Sequence, residues 1–352
     1  MRLEFINRIK ENEVLGRSIL WDDGQVLLRA GVKLSRNYIE KLKQLGVYFI
    51  YVEDERLSDV KVEDERLSQI KRATLKSISK VIKGVNTVGS KELKESCNKV
   101  EELVHHIVET GDVNKSLYDI KTYDNYTYLH CLETGIMSTF LGITAGLDKH
   151  QLKDLAIGAI LHDVGKMNVS YEIIGKDGKL TDEEYEEVKK HPIYGRRILE
   201  KKLWMSEDIL KAVEQHHERV DGRGYPYGLR DKAISKFGKI VAICDVYDAV
   251  SSNRCYRKRF SPNDAYELIL AGSSSAFDKE LVNKFKETFC VYPLGCCVKL
   301  SNGSRGYVVN QNSGFPDRPV VRVFYDENEN AVSFYEINLL SEINIRIEEV
   351  AL

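Results

Sequence analysis

The middle of the chain is marked by hydrophobic residues at helical spacing. Between about residues 69 and 289 the pattern fits helices almost throughout, and in LKDLAIGAILHDVGK (152–166) Leu152, Leu155, Ala156 and Ala159 share one stripe. Loops rich in Gly, Pro and Asp interrupt it at IGKDGKLTDEE and between residues 221 and 231. This pattern predicts an all-helical domain.

Both ends of the chain show a different pattern of apolar and polar residues from the middle. In the first 52 residues short apolar runs alternate with turn signals around one helical segment, for which Ser35 is the expected N-cap and Gly46 the expected stop, followed by the strand-like VYFIYV. After residue 293 apolar and polar residues alternate with a period of two in CCVKL, GYVVN, PVVRVFYD and AVSFYEINL. The ends therefore predict a small α+β unit and a small β-rich segment that packs on a neighbour or a partner.

The expected fold class is mainly α, with four parts along the chain. These are an α+β unit at 1–52, a linker with helices leading into the core at 53–115, a helical catalytic domain at 116–290, and a β-rich segment at 291–352. The heptapeptide VEDERLS occurs twice, at 52–58 and 62–68. An interval of ten places the copies on different faces of a helix, so they are interpreted as linker or helix start.

The amino-acid composition limits the classes of molecule that this protein is expected to bind. The 352 residues include 52 Lys+Arg and 54 Asp+Glu, a net charge of −2, which gives no support to wholesale electrostatic binding of DNA or RNA. No stretch approaches the roughly 18 apolar residues of a membrane span. Seven cysteines without C-x-x-C spacing indicate reduced thiols rather than disulfides or a thiolate zinc site. We therefore expect a cytoplasmic protein that does not enter a membrane.

The histidines carry the chemical signal. Of the eight in the chain, five lie in the helical region in contexts that also supply carboxylates: His130, His162 next to Asp163, His191, and the adjacent His216 and His217, with Asp245 further on. Adjacent helical residues point about 100° apart, so both members of a pair enter one pocket only at a helix end or where two metals are bound. Imidazoles and carboxylates without thiolate suit iron, manganese or zinc.

Five segments containing these residues resemble one known family. They are YTYLH (126–130), LHDVGK (161–166), HPIYG (191–195), HHERVDGRGYP (216–226), and DVYDAV followed by NRCYRKR (245–259). In this order and spacing they resemble the HD-GYP subfamily of the HD phosphohydrolases, across about residues 120–290. Each segment alone is a weak signal, and the set is a specific one.

The resemblance implies a helical HD domain whose two-metal centre hydrolyses cyclic di-GMP to pGpG, GMP or both. Carried over residue by residue, one metal is held by His130, His162, Asp163 and Asp245, and the second by His191, His216 and His217, with Asp163 bridging. The family chemistry is attack by a hydroxide held between two divalent ions, with iron or manganese expected here. Some members bind a third metal through a Glu at the position of Tyr126, so two ions are expected.

Further roles also follow from the resemblance. Asp163 and Lys166 are the expected catalytic residues, and Lys166, one turn after Asp163, is expected to bind a phosphoryl oxygen or to protonate the leaving 3′-oxygen. The expected substrate contacts are Lys166, Arg254, Arg257, Lys258 and Tyr225. The loop of Gly224, Tyr225 and Pro226 is expected to lie beside the site and to contact diguanylate cyclase (GGDEF) domains.

Several alternatives stay open at this stage. The substrate could be another cyclic dinucleotide such as cyclic GMP-AMP, or the chain could be a non-catalytic cyclic di-GMP sensor or adaptor. Di-iron oxygenases also use His/Asp centres of HD type, but the loop containing Gly224–Pro226 and the Arg/Lys cluster favour a phosphate-containing substrate. A homodimer formed through the N-terminal unit is a further hypothesis.

Overall fold

The computed structural model describes residues 1–21, 25–47, 49–62, 65–84, 89–110, 126–176, 178–202, 205–251, 262–312 and 314–350, with backbone alone at 126, 127 and 262–264. Two compact units emerge from it. One combines residues 1–68 and 286–352, and the other is formed by residues 69–111 and 127–285.

The first unit begins with short strands and one helix. Strand β1 (Arg2–Phe5) pairs antiparallel with β4 (Phe49–Val52), and β2 (Ile19–Leu20) pairs with β3 (Val26–Leu28). Helix α1 (Arg36–Gln44) begins after Ser35, whose hydroxyl accepts the amide of Tyr38, and the chain turns at Gly46 with φ of 70°. The predicted helix start and stop are both confirmed.

The C-terminal part of the same unit is an antiparallel sheet. Within the described residues its strand order is β8-β7-β6-β5-β9. The strands are β5 (Cys297–Leu300), β6 (Arg305–Asn312), β7 (Phe315–Tyr325), β8 (Ala331–Asn338) and β9 (Ile347–Val350). The alternation in the sequence predicted β5 to β8, whereas β9 was missed because IEEV is too polar to show a period of two.

The two ends of the chain share a hydrophobic core. Leu3 and Tyr51 from the N-terminal strands pack in one buried cluster with Val298 and Val321 of the sheet. The amide of Leu3 also donates to the carbonyl of Gly295 over 2.9 Å. The β-rich segment therefore buries its apolar face against the N-terminal residues of its own chain.

The second unit is helical. Its helices are α2 (Glu65–Lys83), α3 (Ser90–Thr110), α4 (Tyr126–Thr144), α5 (Lys149–Ile160), α6 (Tyr171–Ile174), α7 (Asp182–Val188), α8 (His191–Leu199), α9 (Glu207–Gln215), α10 (Lys236–Ser251), α11 (Pro262–Ala271) and α12 (Lys279–Thr288). α2 and α12 extend across the boundary with the first unit. Helices α5, α8, α9 and α10 pack around the predicted site.

Local sequence signals set the ends of the helices that carry this site. Asp148 and Gln151 form a capping box at the start of α5, and the Ser206 hydroxyl accepts the amide of Ile209 at the start of α9. A 3-10 turn at Val164–Asn168 follows α5. The predicted mainly-α class is thus confirmed, with an α+β N-terminal part and a strand-rich C-terminal sheet.

The repeated heptapeptide adopts two structures. The first copy forms a 3-10 turn (Glu55–Leu57) whose Leu57 is fully buried, and α2 begins at Glu65 in the second copy. Tertiary surroundings therefore decide the conformation of this sequence.

Among the described residues, no helix combines the length and apolar character needed to cross a bilayer. The division into four parts remains a prediction.

Candidate metal centre

Helix ends orient three of the predicted metal ligands. His162 follows the end of α5, His191 follows the end of α7, and His216 caps α9. In each case the ring Nδ1 lies close to the carbonyl oxygen three residues earlier, at 2.6, 2.8 and 2.7 Å. The last carbonyls of a helix have no partner within the helix, so they accept the ring N–H. Each Nε2 is then left as the free lone pair.

The fourth histidine comes from the interior of a helix. His130 lies in α4, and both of its nitrogens face carboxylates of α10. Its Nε2 is 3.0 Å from Asp245 Oδ1, and its Nδ1 is 2.6 Å from Asp248 Oδ2. His130 and Asp248 are each less than 5% exposed.

These side chains converge in two groups that could each hold an ion. One group is His130, His162 and Asp245, and the other is Asp163, His191, His216 and His217, with the ligand atoms of each group within 4.8 Å of one another. The predicted ligands are therefore brought together, and their assignment to two ions stays a prediction.

Asp163 lies between the two groups. Its Oδ2 is 3.4 Å from His162 Nε2, whereas its Oδ1 is 3.3 Å from His191 Nε2. One carboxylate therefore directs one oxygen to each group, which is the arrangement that a bridging ligand needs.

The donor atoms themselves fit a divalent cation. The Nε2 atoms of His191 and His216 face each other at 3.2 Å, and because each Nδ1 lies against a main-chain carbonyl, the ring proton belongs on Nδ1 and leaves both Nε2 atoms as lone pairs. Two lone pairs in contact repel each other unless a cation lies between them. His162 Nε2 and Asp163 Oδ1 are also buried without a hydrogen-bond partner. The orphaned atoms and the imidazole and carboxylate donors of these two groups suit a first-row metal.

Electrostatics place most of these groups in the form that binds metal. Burial and the surrounding imidazoles hold the pKa of His216 well below its ordinary value, and burial lowers the pKa of His217 to about 3. Burial opposes ionisation of Asp163, but Lys166 and His162 outweigh it and keep that pKa low. Both imidazoles are therefore neutral, and Asp163 is charged, at neutral pH.

His130 differs from His216 and His217 in its charge. Burial disfavours its protonated form, but the hydrogen bonds to Asp245 and Asp248 raise its pKa to about 9. Burial likewise opposes ionisation of Asp245, whose pKa is nevertheless held far below the ordinary value by the His130 hydrogen bond. A cation at His130 Nε2 must therefore displace a proton, so metal binding is coupled to pH.

Lys166 is attached to the centre through Asp163. Its Nζ donates to Asp163 Oδ2 over 2.6 Å. The preceding Gly165 packs against α8 so closely that a Cβ would overlap the carbonyl oxygen of His191 and the amide of Gly195. Glycine is therefore required in LHDVGK to bring α8 against the turn that carries Asp163.

The predicted GYP loop folds back on His217. The Tyr225 ring stacks on the His217 ring with centroids 4.6 Å apart, and the Tyr225 amide donates to the His217 carbonyl. Tyr225–Pro226 is a cis peptide, and a Cβ on Gly224 would overlap the His217 carbonyl. Buried Glu218 accepts the amides of Tyr227 and Leu229, which anchors the loop. The loop thus covers one side of the centre.

Two residues near the centre were missed from the sequence. Asp248 contacts His130, and the buried thiol of Cys131 lies within 4.8 Å of ligand atoms of His162 and Asp163. The sequences around them, DVYDAV and YLHC, do not indicate that either residue contacts the site. Asp248 does lie one turn after Asp245 on the same helix. The predicted substrate contacts Arg254, Arg257 and Lys258 fall outside the residues that the structure describes.

Comparison with known proteins gives a consistent picture. Residues 127–281 match the family model described as HD domain, and residues 297–351 match a KOW domain associated with the HD domain. A cyclic di-GMP phosphodiesterase of Pseudomonas aeruginosa is 34% identical over 226 residues, covering 64% of this chain and 54% of the relative. A 3'3'-cGAMP-specific phosphodiesterase of Vibrio cholerae is 31% identical over 166 residues, which cover 47% of this chain and 38% of the relative.

A solved structure gives the same fold. An HDG"Y"P protein from Bdellovibrio bacteriovorus matches with a TM-score of 0.55 and 17% identity, over 80% of this chain and 97% of that one. The resemblance predicted from the sequence is confirmed by these matches. The chain spans about half, or less, of the length of the curated relatives it matches.

Proposed function

We propose that this chain is a metal-dependent phosphodiesterase that hydrolyses cyclic di-GMP, because residues 127–281 match the HD domain family model. The observation that carries the proposal is the pair of ligand groups inside the matched domain, with Asp163 directing one oxygen to His162 and the other to His191. Relatives named as cyclic di-GMP phosphodiesterases support the substrate. The expected products are pGpG, GMP or both.

The ligand assignment follows the two groups. His130, His162 and Asp245 would hold one divalent ion, His191, His216 and His217 the other, and Asp163 would bridge them. Iron and manganese are the expected metals, since the donors are imidazoles and carboxylates. Two such ions supply Lewis acidity towards the phosphoryl group and a nucleophilic hydroxide near neutral pH.

The chain's own residues would bind and orient the substrate. Lys166 Nζ has three N–H donors, so it can hold Asp163 and still donate to a phosphoryl oxygen. Burial alone would lower its pKa, but Asp163 raises it. A raised pKa favours stabilisation of phosphoryl charge over transfer of the proton to the leaving 3′-oxygen. Of the two roles predicted for Lys166, we therefore propose charge stabilisation.

We also propose contacts of the loop that contains Tyr225 with the substrate and with a partner domain. Tyr225 stacks on His217, which supports its proposed contact with the substrate. Tyr227, which follows Pro226, is 54% exposed, and this exposure supports the proposed contact of the loop with a GGDEF domain. Cyclic GMP-AMP is a second candidate substrate, because the Vibrio cholerae relative is named for it. A homodimer also remains a prediction.

Product analysis tests the function. Purified protein loaded with Mn²⁺ or Fe²⁺ is incubated with cyclic di-GMP and, separately, with cyclic GMP-AMP, and products are separated by chromatography. We expect pGpG or GMP from cyclic di-GMP at the higher kcat/KM. Faster turnover of cyclic GMP-AMP would assign the second substrate, and no turnover of either would contradict phosphodiesterase activity.

Two variants serve as controls for that assay, one inside the candidate metal centre and one outside it. The double variant His162→Ala/Asp163→Ala removes ligands from both groups and is expected to abolish turnover. His105→Ala also removes a histidine, but His105 is an exposed residue of α3 that pairs with Glu109. This variant is expected to keep wild-type turnover.

A further inference from the structure

The orientation of His130 depends on a side chain rather than on the backbone. For His162, His191 and His216 the ring Nδ1 lies against a carbonyl in the last turn of a helix. His130 lies inside α4, where main-chain carbonyls accept from amides of the following turn. Its Nδ1 instead meets Asp248 Oδ2 at 2.6 Å.

Asp248 and Asp245 hold the ring between them. They lie three residues apart on α10 and therefore on one face, with Asp245 at Nε2 and Asp248 at Nδ1. Asp248 is 3% exposed, so little solvent competes for the hydrogen bond. A charged acceptor also makes this bond stronger than one to a neutral carbonyl.

We propose that Asp248 is a positioning residue, which holds His130 with its proton on Nδ1 and its Nε2 directed to a divalent cation. This inference rests on the metal centre of the proposed function. The physical reason is general: a second-layer carboxylate fixes the tautomer and rotation of a ligating imidazole and strengthens it as a donor. Asp248 does so for the one ligand among these four that no helix end orients.

Metal titration of the apo protein tests the proposal without relying on turnover. Mn²⁺ binding is measured by calorimetry for wild type, Asp248→Ala and Asp248→Asn. We expect Asp248→Ala to weaken one of the binding events about 10–100-fold and to leave the other unchanged. Asp248→Asn keeps an acceptor oxygen of the same shape and should recover part of the loss. Equal affinities in all three proteins would overturn the proposal.

A control separates positioning from a general effect of removing a buried carboxylate. Asp154 is 7% exposed, accepts a hydrogen bond from the Ser206 hydroxyl over 2.7 Å, and belongs to neither ligand group. Asp154→Asn should bind Mn²⁺ as wild type does. If this variant loses as much affinity as Asp248→Asn, the effect is general and the proposal fails.

A double-variant comparison shows whether Asp248 acts through His130. In a His130→Ala background the substitution Asp248→Asn should cause no further loss of Mn²⁺ affinity, because its target is gone. An equal loss with and without His130 would overturn the proposal. Wild-type protein that binds Mn²⁺ but hydrolyses neither dinucleotide would refute the proposed activity and leave the role of Asp248 standing, whereas a wild type that binds no Mn²⁺ would refute both.

Discussion

At the residue scale, the centre depends on where each helix stops. His216 and His217 both enter it because α9 ends at Gln215, which releases them from the helical angle of about 100° between neighbours. A shift of one residue in that end would rotate His216 away from the Val213 carbonyl that orients it. Positions in the last helical turn therefore matter as much as the identity of the ligands.

Lys166 gives the residue-scale prediction. Lys166→Met removes the ammonium beside Asp163 but no predicted metal ligand. We expect kcat for cyclic di-GMP to fall about 10²–10³-fold, as for loss of one preorganised charge at a reacting centre, with bound metal unchanged. Steady-state kinetics and elemental analysis of the same sample measure both quantities.

Lys99→Met is the control for that variant. Lys99 also donates to a carboxylate three residues away, Glu102 at 2.8 Å, but this pair is exposed on α3. The control should keep wild-type kcat. Loss of metal from Lys166→Met would show instead that the lysine supports the ligands and not the reaction.

At the scale of elements, a buried ion pair joins α2 to the helix that carries His130. Lys71 Nζ of α2 lies 2.8 Å from Glu133 Oε1 of α4, and both side chains are about 5% exposed or less. Glu133 follows His130 by one turn. Helix α2 precedes the segment matched by the HD family model, so this pair ties it to the centre.

Because this ion pair is buried, removing one of its charges is expected to destabilise the protein far more than removing both. Lys71→Met removes the cation that balances the buried Glu133 carboxylate and should lower the free energy of unfolding by about 3–5 kcal/mol. Lys71→Met/Glu133→Leu removes both charges and should recover most of the loss. Urea denaturation of both variants measures the difference. The exposed pair again serves as the control, because Lys99→Met should cost less than about 1 kcal/mol.

At the scale of the whole molecule, residues far apart in the chain form one unit. Arg322 of β7 makes two 2.7 Å hydrogen bonds to Asp59 and a further one to the carbonyl of Arg56. These contacts join the segment after β4 to the C-terminal sheet. The hydrogen bond from Arg322 lowers the pKa of Asp59 to about 2.

The lowered pKa predicts how this contact depends on pH. Since the folded-state pKa lies below the ordinary value of 3.8, the contact stabilises the fold above about pH 4 and loses this effect as the pH falls towards 2. Asp59→Asn should therefore be less stable than wild type at pH 7, and the difference should shrink below pH 4. Urea midpoints across this range measure it.

The control for this prediction is a looser ion pair in the same unit. Asp317 lies 4.0 Å from Arg318, and its side chain is 67% exposed. Asp317→Asn should match wild type at every pH. A constant deficit of Asp59→Asn down to pH 2 would contradict a contribution from the charged carboxylate.

The sequence by itself determined the helical middle and most strands of the C-terminal sheet, and it named the side chains that the structure brings together as candidate metal ligands. Helical and strand periodicity depend on neighbouring residues, so α1, with its Ser35 cap, and β5 to β8 could be predicted locally. The ligands could be named because a rare set of residues occurs in a known order. The substrate contacts at residues 254–258 remain predictions.

Only the tertiary structure decided which distant residues meet. The Tyr51 hydroxyl donates to the carbonyl of Leu294 across 243 positions, and no local pattern records that pairing. The same holds for Asp248 against His130, and for Cys131 beside His162 and Asp163. Such contacts follow from how whole elements bury their apolar faces together, which depends on all of them at once.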